Sequence, residues 1–344
     1  MSEPTPEDTP PAAPDTKPSP PAAHYRPKGL VPRAIKWAND RFDRSCQFCL
    51  NQFPQRMGNL RQYEPRPIEY EAPSLAESRG KYPSISVVTP TFNQANFIER
   101  TVRSVMDQAY PRLRYAVWDG ASTDNTVEVL EPLSEEYRFA WKSEKDQGQA
   151  DAINKAFDMV DGEIMAWLNS DDLLMQRALL YVGSYFEQNP DVDVIYGHRI
   201  LINEHDQEIG RWVTPPHHDD ALTYFDYVPQ ETLFWRRRIW EKAGGKLNVD
   251  FHFALDWDLL QRFHKAGAKI VRVPRFLGCF RVHSEQKTSA KMVDVGKTEM
   301  SWLRPDFGSD PEKRRKMTRL YYGEQFRSQL SRFLMKGGVR REWL

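Results

Sequence analysis

The chain has 344 residues, 40% of them hydrophobic and 12% aromatic, enough to bury one large domain with appendages or two domains. Lys and Arg number 48 and Asp and Glu number 48, so the formal charge balance supplies no case for a nucleic-acid partner. No run of about eighteen apolar residues is present to cross a bilayer, no secretory signal is legible at the start, and three cysteines make no disulfide framework. A cytoplasmic protein is expected. Cys46 and Cys49 form an isolated C-x-x-C and Cys279 stands far away, so all three read as unpaired thiols.

In chain order, residues 1–25 form a Pro-rich tail with almost nothing to bury, which predicts disorder. Residues 26–82 read as a basic helical segment followed by a linker. From Arg26 to Arg61, eight basic residues face only Asp40 and Asp43, interleaved with Trp37, Phe42 and Phe48. Residues 63–83 are punctuated by proline. The main domain is expected over 83–290. "SISVVT" (84–89) predicts a buried parallel strand, and Ile98, Thr101, Val102 and Val105 recur at helical spacing. Further strands are expected at 113–118, 138–143 and 163–168. A helix follows each, the second capped by Ser122, Thr123 or Asp124 and the last spanning 173–188.

Four strand–helix alternations with short loops predict an α/β domain with a mostly parallel sheet flanked by helices. Beyond Asp191 the pattern predicts a small antiparallel section, helices at 236–243 and 256–266, a strand at 268–274, and closure near "GCFRVH". Residues 291–344 read as a basic C-terminal helical extension. From Asp310 onward ten basic residues face four acidic ones, with Met317, Leu320 and Tyr321 on an apolar face. Such basic ends are either solvated faces or contacts to an anionic membrane surface.

In open α/β sheets ligands bind outside the carboxyl ends of the strands. Here those ends carry Thr89 to Asn93, Asp119-Gly120, Glu144 to Gln149, and Asn169 to Asp172. Capping explains one or two of these groups. Asp119, Asp146, Asp171 and Asp172 on one edge call for a counter-charge, and a divalent cation shared with phosphate oxygens is the simplest. No Walker lysine motif and no G-x-G-x-x-G is present.

The ordered motifs "VVTPTFNQ", "WDGASTDNT", "SEKDQGQADAINKAF", "GEIMAWLNSDD", "LDWDLLQRF" and "FRVH" resemble the inverting family 2 glycosyltransferases of the GT-A fold, over roughly residues 83–285. The resemblance implies that Pro90, Thr91 and Asn93 line the nucleotide pocket and that Asp119 hydrogen-bonds the base, commonly uracil. Asp146, Gly148, Gln149 and Asp151 would line the nucleotide-sugar side. Asn169, Asp171 and Asp172 match the D-x-D-type element, with asparagine where many members have the first aspartate. A cation, Mg or Mn, would be held by Asp171, Asp172 and His283. Asp256 matches the catalytic base, with Asp258 as the fallback, and Gln230 either faces the acceptor or packs.

What the resemblance implies is transfer from a nucleotide-sugar donor to a glycan or lipid-linked acceptor. The absence of a Q-x-x-R-W motif disfavours a processive synthase. A nucleotidyltransferase would need glycine or lysine in "PTFNQAN". An inactive carbohydrate- or nucleotide-binding module would not need Asp119, Asp171, Asp172 and Asp256 together.

Overall fold

The computed structural model describes residues 60–70, 81–283, 295–304, 310, 312, 315–321 and 323. The tail, most of the basic N-terminal segment, Cys46 and Cys49, and the last twenty-one residues lie outside them.

Among the described residues nine strands form one sheet: β1 (Ile85–Thr91), β2 (Leu113–Asp119), β3 (Ala140–Ser143), β4 (Ile164–Trp167), β5 (Leu173–Leu174), β6 (Val194–Ile202), β7 (Glu208–Trp212), β8 (Phe234–Arg236) and β9 (Ile270–Arg281). Their order is β3-β2-β1-β4-β8-β6-β9-β5, with β7 paired to β6. The first four strands in that row are parallel, β8 runs against β4 and β6, and β6 runs parallel to β9. The mostly parallel α/β sheet is thus as expected, and so is the antiparallel β6–β7 pair. Strand order reverses beside β1, which opens the crevice at which such sheets take ligands.

Alternation along the strands divides the core between the two faces. Ile85 and Val87 of β1, Tyr115 and Val117 of β2, and Ile164 and Ala166 of β4 enter one cluster with helices α1 (Ile98–Met106) and α4 (Ala178–Gln188). Val88, Ala116, Met165 and Trp167 enter the other. They pack there with α3 (Gln149–Met159), α6 (Arg237–Lys242) and α7 (Leu255–Lys265). Between these in sequence lie α2 (Thr126–Tyr137) and α5 (Asp219–Tyr224), and a short helix, α8, spans Lys297–Leu303. Among the described residues no helix is long and apolar enough to cross a membrane.

Three expectations change. Helix α4 starts at Ala178, not 173, because Leu173 and Leu174 are drawn into a two-residue strand against Cys279 and Gly278. The segments expected at 268–274 and 278–283 are one strand, β9. It absorbs Pro274 by a register shift against β6 between Tyr196 and His198, where a proline need not donate to the ladder. The linker is partly structural as well. Residue 66 bridges antiparallel to 208, and the buried Glu208 carboxylate accepts from Arg66 (2.7 Å) and Arg211 (2.8 Å). At the other end, Met317 is buried and Leu320 and Tyr321 pack on the core, so that apolar face turns inward. Cys279 is a buried free thiol.

Gly278 of β9 is set by a close approach. A Cβ there would stand 2.6 Å from the backbone oxygen of Glu231, in the 3-10 turn Gln230–Thr232. Gly278→Ala is expected to destabilise by ~1–3 kcal/mol, the usual cost of overpacking. The midpoint of urea unfolding reads this directly, and an unchanged midpoint refutes it.

Candidate active site

Parallel strands end on one edge, and their register decides which polar groups meet there. Thr91 pairs with Asp119 across β1 and β2, and Asp119 with Ser143 across β2 and β3. Pro90 and Thr91 are buried, and among the described residues the buried Thr91 hydroxyl has no hydrogen-bond partner. Asn93 adopts a left-handed backbone (φ 54°), which asparagine tolerates. Its N–H donates to the Ser122 hydroxyl (2.7 Å), and its side-chain oxygen accepts from the Thr123 N–H (2.8 Å). The β1 and β2 loops are thereby tied together.

Asp119 is fully buried and accepts from the Ser122 N–H (3.0 Å), the Ser122 hydroxyl and the Ser143 hydroxyl (2.6 Å). It therefore organises the loop that surrounds it. Gly120 lets Asp146 approach, since a Cβ would stand 2.7 Å from that carboxylate and 3.4 Å from the Phe92 ring. Phe92 is 57% exposed, an uncovered aromatic face beside the acids that the sequence reading passed over. Its only signal was its place inside "PTFNQ". Burial raises the Asp146 carboxyl above its ordinary value, opposed by the Gly148 N–H that it accepts (2.8 Å). Gly148, at φ 121°, supplies the turn into α3. Asp151 is engaged locally by the Gln147 N–H (3.0 Å) and Lys155 (3.1 Å).

Strand β4 delivers the second group. Gln149 donates to the Asn169 side-chain oxygen (2.7 Å), which joins this group to the start of α3. Asn169 donates to Gln230 (3.2 Å), and Gln230 donates to the Trp167 carbonyl (2.8 Å). Asp172 is 2% exposed and accepts from the Arg281 N–H (3.0 Å). Burial, then Asp171 and Glu231, hold its carboxyl well above the usual carboxylate range. Asp171 is the more open of the two, with its Oδ2 3.0 Å from His283 Nε2. Neither aspartate caps a helix, because the N-cap position of α4 is Arg177. Buried Arg281 donates to the Asp171 carbonyl (2.7 Å) and lies over Phe97.

The third group gathers around Arg199. Its guanidinium pairs with Glu231 (Nε to Oε1 2.7 Å), the two side chains being 13% and 1% exposed. Asp256, in the first turn of α7, feels both. Burial raises its carboxyl to about 6, with Arg199 pulling down and Glu231 pushing up. Asp226 is raised well above the carboxylate range by burial and then by Asp256. Asp258 is bound by Arg262 (2.9 Å). Arg199, Asp226 and Glu231 were not singled out from sequence. The one available signal was a charged residue inside the apolar strand "VIYGHRILI".

Among the described residues no three His, Cys, Asp or Glu side chains converge on a metal position. The Asp171–His283 pair offers one carboxylate and one imidazole. The carboxylate, completed by diphosphate oxygens, fits a hard divalent cation such as Mg or Mn, and the imidazole is a donor better suited to a transition metal than to Mg.

An α/β sheet whose polar, acidic strand ends meet where the strand order reverses is a framework that takes ligands in that crevice. Residues 86–252 match the family described as Glycosyl transferase family 2. Over 93 residues it is 39% identical to the putative teichuronic acid biosynthesis glycosyltransferase TuaG of Bacillus subtilis, covering 26% of this chain and 36% of that one. S. aureus TarS 1–349, solved with UDP-GlcNAc, shares the fold at TM-score 0.50 and 17% identity, over 60% of this chain and 61% of that one. The mannosyltransferase PcManGT of Pyrobaculum calidifontis, solved with GDP-Man and Mn2+, does so at TM-score 0.50 and 17% identity, over 76% and 71%. The sheet is of the GT-A type.

Proposed function

We propose that the chain moves one hexosyl or hexosaminyl unit per event from a nucleoside-diphosphate sugar, UDP-linked, to a hydroxyl of a glycan or lipid-linked acceptor. The reaction is a single displacement with inversion. The observation that carries this reading is Asp256, a carboxylate raised to about 6 and neighbouring the Arg199–Glu231 pair. An acceptor hydroxyl that attacks the anomeric carbon must lose its proton as the new glycosidic bond forms and the bond to the diphosphate breaks on the opposite face. A carboxylate at about 6 is ionised at neutral pH yet basic enough to take that proton.

The Thr91 hydroxyl, the Phe92 ring, Asn93, Asp119 and Asp146 supply the nucleotide side, and Gly148, Gln149, Asp151 and Asn169 the sugar side. Asp171 and His283, with Asp172 behind them, would hold a divalent cation, which when bound neutralises charge on the departing diphosphate. Support comes from fold neighbours solved with UDP-GlcNAc, or with GDP-Man and Mn2+. TuaG's assignment to teichuronic acid biosynthesis favours an envelope polysaccharide as the acceptor.

The test is a panel of nucleotide sugars with Mg2+ or Mn2+, reading released diphosphate, with and without anionic vesicles to probe a peripheral location on the inner face of the membrane. UDP binding without turnover of any donor favours a binding module, whereas pyrophosphate release from nucleoside triphosphates favours a nucleotidyltransferase. Asp171→Asn and His283→Ala are each expected to raise the Mn2+ concentration for half-maximal turnover by ~10-fold or more. An unchanged Mn2+ titration removes both from the cation site.

A further inference from the structure

Helix α7 carries Asp256 as its second residue, yet its N-cap position is Ala254, which has no side chain able to cap. Helices leave their first N–H groups without partners, and a carboxylate is a favoured acceptor there. The carboxylate comes from far along the chain. Glu299 of α8, 2% exposed, accepts from the N–H groups of His252 (2.8 Å), Phe253 (2.8 Å) and Ala254 (2.9 Å). Three successive amides leading into α7 thus converge on one buried side chain. The surrounding contacts hold the same join. Gly296 lies against the Phe253 ring, where a Cβ would be 3.0 Å away, and Gln261 of α7 donates to the Leu303 carbonyl (3.1 Å). Arg304 donates to the Tyr224 carbonyl (3.0 Å), and Tyr321 stacks on Phe225 at 4.4 Å, beside Asp226.

We infer, granting Asp256 the role of base proposed above, that Glu299 is a positioning residue: by clamping residues 252–254 it aims the Asp256 carboxylate at the acceptor hydroxyl. The C-terminal extension is then part of the catalytic apparatus. A buried carboxylate satisfied by three amides is rigid. Its amide analogue presents one acceptor oxygen and an N–H that confronts the backbone donors. Small displacements of a catalytic group cost rate steeply while leaving distant ligand contacts intact.

The experiment compares Glu299→Gln and Glu299→Asp, each alone and combined with Asp256→Asn, in the full chain. The readouts are kcat and KM for diphosphate release from the donor that wild type turns over with Mn2+, and UDP binding by calorimetry. Glu299→Gln is expected to lower kcat by ~10-fold or more with UDP affinity unchanged, to recover partly in Glu299→Asp, and to cause no further loss once Asp256 is asparagine. Equal losses in both backgrounds, a parallel loss of UDP binding, or an unchanged kcat overturns the inference. Should Glu299→Gln not fold, Glu299→Asp carries the same comparison at smaller amplitude. If Asp256→Asn alone keeps wild-type turnover, the base assignment fails and the Glu299 role with it. If Asp256→Asn is impaired and Glu299→Gln is not, only the Glu299 role fails.

Discussion

Replacing Asp256 by asparagine is expected to lower kcat for transfer by ~10²- to 10⁴-fold, the usual worth of a general base, while UDP still binds. The amide is nearly isosteric and cannot accept the acceptor proton. The pH dependence supplies an independent mark. A base must be deprotonated, so wild-type kcat should climb as pH rises through about 6 and level off above it, because burial has raised Asp256 to that value. In Asp256→Asn the residual rate should lack that inflection. Steady-state rates from pH 4.5 to 8.5 settle the matter. An inflection that persists in the variant, or near-normal turnover, assigns the proton transfer elsewhere.

Arg199→Met is expected to destabilise the protein by about 3–5 kcal/mol at neutral pH, as removal of one partner from a buried pair does. Its loss strips the counter-charge from Glu231, Asp172, Asp226 and Asp256 together. The sign of the pH effect follows from the direction of the shifts. Asp172, Asp226 and Asp256 already titrate above their ordinary values, so their contribution favours folding at low pH and declines as pH rises through the folded-state values. Removing Arg199 pushes all three higher and widens that decline. The difference between wild type and variant should therefore be larger at pH 7.5 than at pH 5. Arg199→Lys should lose less, because it keeps the charge but not the two-pronged geometry. Urea unfolding at the two pH values tests it. A loss below about 1 kcal/mol, the range of an exposed pair, or one independent of pH, discards this account of Arg199.

Strands β1, β2 and β4 were legible because each is a short β-branched or apolar run, and because period-two alternation was hidden by burial on both faces. The polar groups at their ends were legible for the same reason, since a buried strand that stops at Asp119 or Asn169 must place those residues at the sheet edge. Where local pattern misled, a distant partner was responsible. Leu173 and Leu174 continue the apolar run of the helix that follows, yet Gly278 and Cys279 claim them as a strand. Pro274 reads as a break, but a register shift carries β9 past it.

The nearest-neighbour content of the chain was thus enough to name the sheet and the acids at the carboxyl ends of its strands, since strand period and strand ends are properties of a few consecutive residues. Which charges face one another was not, because Arg199, Glu231, Asp226 and Asp256 sit on separate elements and meet only when β6, the 230–232 turn and α7 pack together. The same holds for Glu299, 45 residues beyond the amide of Ala254 that it accepts. Coulombic and hydrogen-bond energies depend on distance through space, and only the closed sheet sets those distances.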